Sequence, residues 1–365
     1  MDPTMDPTTG PPMDLPKVPT TMKAWLYSGT SSGLEKNMYL DETARVPPAP
    51  KGDEVLVEVL SSALNPADFK VPEMGPHARY LAIGMPATPG MDFCGRVVTT
   101  GPGAPFKPGE LVYGCHSMPV KFGTLAKYLS ISSKLIAPLP EGVSVDDAAS
   151  LGIAGQSAFQ ALTGYVKEGD KVFINGGSGG CGVFAIQLAK SMGCFVAVTC
   201  STRNVELCYR LGADEVFDYT AVGDLVGALK KKGIVFDHIL DHIGLPSDLY
   251  YQCHHFLRPG GVFVQVGASA LTTFVGRVAW PSFLGGGKRK YVIFFFKNTR
   301  EHIVKLGELV QQGTLKLNFD SKYEFENAVK AFERLRSGRA RGKVLVHVAD
   351  PQEDTSAVVN DFLFQ

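Results

Sequence analysis

Gly177, Gly179 and Gly182 stand in the order Gly-x-Gly-x-x-Gly within KVFINGGSGGCGVFAIQLAK. A continuous apolar run precedes them and a helical pattern follows. Gly177 permits the tight turn, Gly179 lets backbone N–H groups approach a pyrophosphate, and Gly182 lets the helix pack close to the strand. Ser178, Gly180 and Cys181 complete the loop. The motif alone is weak, but its place between strand and helix makes dinucleotide binding the expected chemistry. NAD-binding chains carry an acid about 20 residues further on, which accepts from the ribose 2′-hydroxyl. Here that segment reads Thr199-Cys200-Ser201-Thr202-Arg203-Asn204, with no acid. Ser201, Thr202 and Arg203 suit a 2′-phosphate, which a carboxylate would repel. NADPH is therefore the expected cofactor, with a solvated Arg203 as the alternative. Tyr219 either flanks the adenine and ribose or packs as a loop aromatic.

The elements around the loop set its context. From about residue 149, strand-like runs (KVFING, FVAVTCS, EVFDY, HILDHIG, GGVFVQVG, YVIFFF) alternate with helical ones (GVFAIQLAKSMG, NVELCYRLG, DLVGALKKKG). Such alternation predicts a doubly wound parallel sheet. Before it, short strands with dense Pro and Gly punctuation predict an antiparallel β domain. VDDAASLGIAGQSAFQAL reads as one helix, its first turn carrying Asp146 and Asp147. After about residue 299, two helices and the strand KVLVHV return to the first domain. The expected division is a tail at 1–21, a β domain from 22–148 plus 300–349, an inserted dinucleotide domain at 149–299, and a loose tail at 350–365.

Composition narrows the function classes. The 365 residues carry 36 basic and 36 acidic side chains, so no charge excess points to nucleic acid or an anionic membrane. The seven cysteines form no C-x-x-C pair and are odd in number, which argues against a disulfide framework. The first residues lack the apolar core of a signal peptide, and no apolar run reaches the length of a membrane span. A cytoplasmic location is expected.

Several motifs then occur in a telling order. Asn65-Pro66-Ala67-Asp68, Pro89-Gly90-Met91-Asp92-Phe93-Cys94-Gly95 and Gly109-Glu110-Leu111-Val112-Tyr113-Gly114 precede the glycine loop. Leu257-Arg258-Pro259-Gly260-Gly261 and Gly342-Lys343-Val344 follow it. Together they resemble the medium-chain dehydrogenase/reductase superfamily, in its zinc-free quinone oxidoreductase and enoyl reductase branch. The resemblance spans about residues 22–348. It implies a GroES-like antiparallel β domain with an inserted Rossmann domain, and NADPH in the cleft between them. Zinc-dependent relatives carry Cys in place of Asn65 and Gly-His-Glu in place of Gly90-Met91-Asp92. Both are missing, as is the four-cysteine lobe, and Cys94, Cys115, His77 and His116 show no ligand spacing. No metal is expected.

Without a Lewis acid, reducing a simple ketone leaves charge on oxygen with nothing to hold it. Reducing a C=C conjugated to a carbonyl spreads that charge into an enolate, which hydrogen-bond donors can hold. The resemblance points to the same substrates: enones, enals, enoyl thioesters or quinones. It places Asn65 and Lys70 near the nicotinamide. Asn65 is a donor to the substrate carbonyl or the ribose, and Lys70 an ammonium for the enolate. Asp68 is expected to cap the next turn, and Tyr80 is an alternative proton donor. Ser157 would meet the nicotinamide ribose or amide, and Gly267 and Ala268 would lie under the ring. Lys343 resembles a lysine that approaches the cofactor phosphates, with a surface role as the alternative. Phe274, Trp280 and Phe283 in an apolar stretch over the cleft, and one of Phe294, Phe295 and Phe296, are candidates for the pocket of an apolar conjugated carbonyl compound. A dimer or lid contact is the other reading of that stretch. Relatives pair through the edge of the Rossmann sheet, so a homodimer is expected. An enoyl reductase of a polyketide-type pathway would also need a carrier-protein partner. A binding protein that keeps the nucleotide but has lost turnover remains the reading from another class.

Overall fold

The computed structural model describes residues 18–268, 271–280 and 282–349. The expected C-terminal tail lies outside them, as does all of the N-terminal tail except 18–21.

Six parallel strands form one sheet, in the order Glu215–Asp218, Phe195–Cys200, Lys171–Asn175, Phe236–Asp241, Leu257–Gln265, Lys290–Ile293. The chain starts in the middle at Lys171–Asn175 and winds outward. It then crosses back to Phe236–Asp241 and winds the other way. The switch point falls between those two strands, where doubly wound sheets bind ligands beyond the carboxyl ends. The middles of the central strands, such as Val172-Phe173-Ile174 and Val196-Ala197-Val198, are apolar and fully buried because helices cover both faces. Helix Gly182–Ser191, which follows the glycine loop, has eight buried residues.

A second sheet orders Phe319–Glu324, Lys343–His347, Glu54–Leu64, Asp92–Thr100, Leu111–Cys115 and Ile136–Pro138, with Tyr128–Ser132 also on Glu54–Leu64. Its pairings are antiparallel except the first. Phe319–Glu324 runs parallel to Lys343–His347, and helix Ala328–Arg336 supplies the crossover that a parallel pair requires.

Two local expectations change. The single helix expected from Val145 is broken: Val145–Ala149 and Gln156–Leu162 flank an irregular turn, with Gly152 at φ −52° and ψ −107°. A Cβ on Gly152 would lie 2.4 Å from Asp92 Oδ1, and Ile153 N–H donates to that oxygen at 2.9 Å. The buried carboxylate thus takes the place of a continuous helix. The strand expected over YVIFFF stops at Ile293. Its one sheet neighbour ends at Gln265, so nothing pairs beyond Phe294 N–H, which donates to Gln265 O at 2.9 Å.

Candidate cofactor and substrate cleft

The glycine loop is tied to the next strand before any ligand is considered. Gly177 N–H donates to Thr199 O and Gly176 N–H to Thr199 Oγ1, each at 2.8 Å. A Cβ on Gly182 would sit 2.1 Å from Gly176 O, and one on Gly177 would meet Val198 at 2.8 Å. Packing therefore demands both glycines. It does not demand Gly179 or Gly180, where a Cβ would meet nothing nearer than 3.6 Å. A side chain there would make only ordinary contacts, so packing leaves these two glycines to another role, which fits a loop whose backbone receives a pyrophosphate.

Residues around the loop carry unspent polar capacity. Asn204 Nδ2 donates to Ser178 Oγ at 2.9 Å and Ser201 Oγ at 3.3 Å. Its Oδ1 is buried with no partner among the described residues. His242 follows strand Phe236–Asp241, and its Cβ lies close to Gly176. Both its ring nitrogens are buried without a partner among the described residues, and burial pushes its pKa down to about 4. A neutral imidazole and a carboxamide with free acceptors fit the ribose hydroxyls of a dinucleotide. Neither residue was picked out in the sequence; the signal for His242 was its place at the end of a central strand. Thr202 and Thr220 hydroxyls meet at 2.8 Å, while Arg203 and Tyr219 are exposed beside them. Cys181 sits at the helix start, where burial raises its thiol pKa to about 11.

Lys70 crosses between the two sheet units. It ends the short helix Ala67–Lys70, and its ammonium donates to Ala268 O at 3.0 Å. Lys70 is exposed, although the atoms packed around its ammonium remove some of its water and lower its pKa. The structure thus brings Lys70 to Ala268 and, through it, to Gly267, where a Cβ would collide with His242 O at 2.7 Å. Tyr80 is not brought there: it is exposed, with its hydroxyl 3.5 Å from Ser28 O. Ser157 is buried in helix Gln156–Leu162. The neighbouring Gln156 ties that helix to the return crossing, through Asn298 Oδ1 at 2.9 Å and Thr299 N–H at 3.1 Å.

Asn65 and Lys343 are placed differently from expectation. Lys343 is 2% exposed, so it is not a surface lysine. Its ammonium donates to Asn65 Oδ1 at 2.7 Å, to Leu64 O at 3.2 Å and to Asp92 Oδ2 at 3.2 Å. A buried ammonium needs such partners, and Asp92 supplies the charge. Its stem passes beside Gly180 of the glycine loop. Asn65 is 3% exposed, with its amide oxygen spent on Lys343. Asp68 does not cap forward. Its Oδ2 accepts from Asn65 N–H, three residues back, at 2.6 Å. Burial pushes the Asp68 pKa up to about 8.

The apolar stretch is anchored at one point. Helix Leu271–Ala279 sends Arg277 inward to Asp241 Oδ2 at 2.8 Å, to Gly244 O at 3.3 Å and to Gln265, over the Phe263 ring. Phe274 is half-buried, whereas Trp280 and Phe283 are exposed. Trp280 Nε1 donates to Leu284 O at 2.8 Å. Phe294 packs on the core, Phe296 is half-buried and Phe295 is exposed.

A doubly wound parallel sheet with a tight glycine loop, closed by a second unit, has the form of a dinucleotide-binding protein. The comparisons agree. Residues 51–141 match the alcohol dehydrogenase GroES-like domain, and residues 211–346 match the zinc-binding dehydrogenase family. A trans-enoyl reductase of Aspergillus terreus is 42% identical over 355 residues, covering 92% of this chain and 99% of the relative. A zinc-type alcohol dehydrogenase-like protein of Schizosaccharomyces pombe is 35% identical, covering 89% and 96%. Among solved structures, a quinone oxidoreductase from Coxiella burnetii superposes with a TM-score of 0.79 at 30% identity, covering 90% of this chain and 99% of that one. The chain belongs to the medium-chain dehydrogenase/reductase superfamily. No helix among the described residues is long and apolar enough to cross a membrane.

Proposed function

We propose that the protein is an NADPH-dependent reductase that delivers hydride to the C=C of an apolar α,β-unsaturated carbonyl compound without a metal. The observation that carries this reading is the Lys70 ammonium at Ala268 O, set across the cleft from the other sheet unit. Bound NADPH supplies the hydride, which goes to the β-carbon. Lys70 would exchange the Ala268 carbonyl for the substrate oxygen and hold the enolate charge as it forms, until a proton from solvent reaches the α-carbon. The relative named as a trans-enoyl reductase supports an enoyl substrate. A quinone is the second reading, supported by the Coxiella burnetii likeness. The test is turnover with NADPH over a panel of enones, enoyl thioesters and quinones, followed by absorbance of the reduced nicotinamide. NADPH binding with no turnover on any of them would mean a binding protein.

Zinc does not fit these residues. Asn65, Met91 and Asp92 offer no thiolate or imidazole, and the Lys343 ammonium already neutralises Asp92 at 3.2 Å. The purified protein should contain no stoichiometric zinc, and chelators should leave activity intact. One tightly held zinc per chain by elemental analysis would overturn this.

The 2′-phosphate reading rests on Ser201, Thr202 and Arg203. A charge-assisted Arg–phosphate contact is worth roughly 1.5–3 kcal/mol. Arg203→Ala should raise the Kd for NADPH about 10- to 150-fold and leave that for NADH nearly unchanged. Equal losses for both cofactors would show that Arg203 does not read the phosphate.

A further inference from the structure

The segment Ser337-Gly338-Arg339-Ala340-Arg341-Gly342 joins helix Ala328–Arg336 to strand Lys343–His347 and so belongs to the unit opposite the dinucleotide sheet. It nevertheless sits on the dinucleotide loops. Gly342 N–H donates to Ser178 O at 3.0 Å. The Arg341 guanidinium donates to Arg203 O at 3.1 Å, and the Arg203 guanidinium donates to Arg339 O at 3.4 Å. Each segment thus lends a guanidinium to the other's backbone.

The charge balance there is uneven. Among the described residues no ion pair is formed by Arg203, Arg339 or Arg341. The nearby acid, Asp320, is taken: Arg334 grips it with two N–H groups, at 2.6 and 2.7 Å, and it accepts Arg341 N–H at 2.9 Å. On the other side Asp218 accepts from Thr220 Oγ1 at 2.6 Å, and the Thr220 hydroxyl meets that of Thr202 at 2.8 Å. The guanidinium groups of Arg203 and Arg341 are thus each seated on a backbone carbonyl beside residues 201–203, with no carboxylate paired to either among the described residues. Unpaired guanidinium groups held by backbone carbonyls alone are ready to take a doubly charged anion, and an arginine fork matches phosphate geometry.

We infer that Arg341 is a second reader of the cofactor 2′-phosphate, contributed by the unit that does not carry the dinucleotide fold. This rests on the NADPH reading above. In this arrangement the phosphate draws on Arg203 from one unit and Arg341 from the other. Cofactor specificity is then a property of the closed cleft, not of the Rossmann-type unit alone.

The test is calorimetric binding of adenosine 2′,5′-bisphosphate and of 5′-AMP to the full chain, without substrate. Arg341→Gln keeps an N–H donor for Arg203 O while removing the charge, so the fold should be retained; thermal midpoints check this. Wild type should prefer the bisphosphate. Arg341→Gln should weaken the bisphosphate about 5- to 30-fold and 5′-AMP by less than about twofold, with Arg341→Lys in between. If wild type shows no preference, the 2′-phosphate reading fails and takes this inference with it. If wild type prefers the bisphosphate but Arg341→Gln binds it as tightly, this inference alone fails. Equal losses on both ligands would also overturn it, showing that Arg341 only props the loop.

Discussion

Replacing Lys343 by Met should cost about 3–5 kcal/mol of stability, the range for removing one partner of a buried ion pair. The side chains of Lys343 and Asp92 are 2% and 0% exposed, so water cannot repair the loss. Asn65 Oδ1 and Leu64 O lose a donor at the same time. The pH dependence has a definite sign. Burial already raises the Asp92 pKa, with the Lys343 charge opposing it. A carboxyl whose folded pKa lies above its unfolded value near 3.9 holds a proton that the unfolded chain has released. Stability then falls as pH rises from the unfolded value to the folded one. Asp68, raised to about 8, gives the wild type this sign of dependence, and loss of Lys343 should steepen it. Urea midpoints at pH 5, 6.5 and 8 measure the effect. Lys343→Met should lie closest to wild type at pH 5. Adding Asp92→Asn should recover much of the loss at pH 8. A single variant with the wild-type midpoint at pH 8 would show that the pair does not hold the fold.

Lys70→Ala should lower kcat on the order of 10²-fold, the scale of removing one oxyanion donor. An ammonium that meets charge only as the enolate forms binds the transition state more tightly than the neutral substrate. Its loss therefore lowers kcat and kcat/KM together and leaves KM nearly unchanged. Lys70→Arg should recover only part, because the planar fork places its donors differently. NADPH affinity should change little. Full kcat in Lys70→Ala would make the lysine a link between the two units and nothing more, and His242 would be the next donor to vary.

Local signals carried most of the fold. The glycine loop, the strand–helix alternation and the resemblance of its motifs all lie within short windows, and the six-stranded sheet follows from them. Asp92 is the instructive failure. Its carboxylate interrupts a helix 61 residues away in the chain, at Ile153, and no pattern within that helix records it. Lys343 meets Asn65 across 278 residues, so its burial could not be read from a motif that looks like a strand edge. The same limit hid Asn204 and His242, whose unspent acceptors matter only once the loops are folded together. Arg277 carries no such local signal either, yet packing makes it a core residue.

That arginine has an evolutionary consequence. Asp241, which receives it, is also held by Asn175 Nδ2 at 2.9 Å and by Gly244 N–H at 2.8 Å, so the socket is built by the sheet and exists independently of the helix surface. Arg277 of Leu271–Ala279 is then under strong structural constraint, while Val275 and Val278 are 67% and 63% exposed. Drift at such outward positions costs the fold little, since surface substitutions usually lie within about 0.5 kcal/mol. A lineage can therefore resurface this helix step by step, exploring new ligands or partners, while the plug-and-socket joint keeps each intermediate folded.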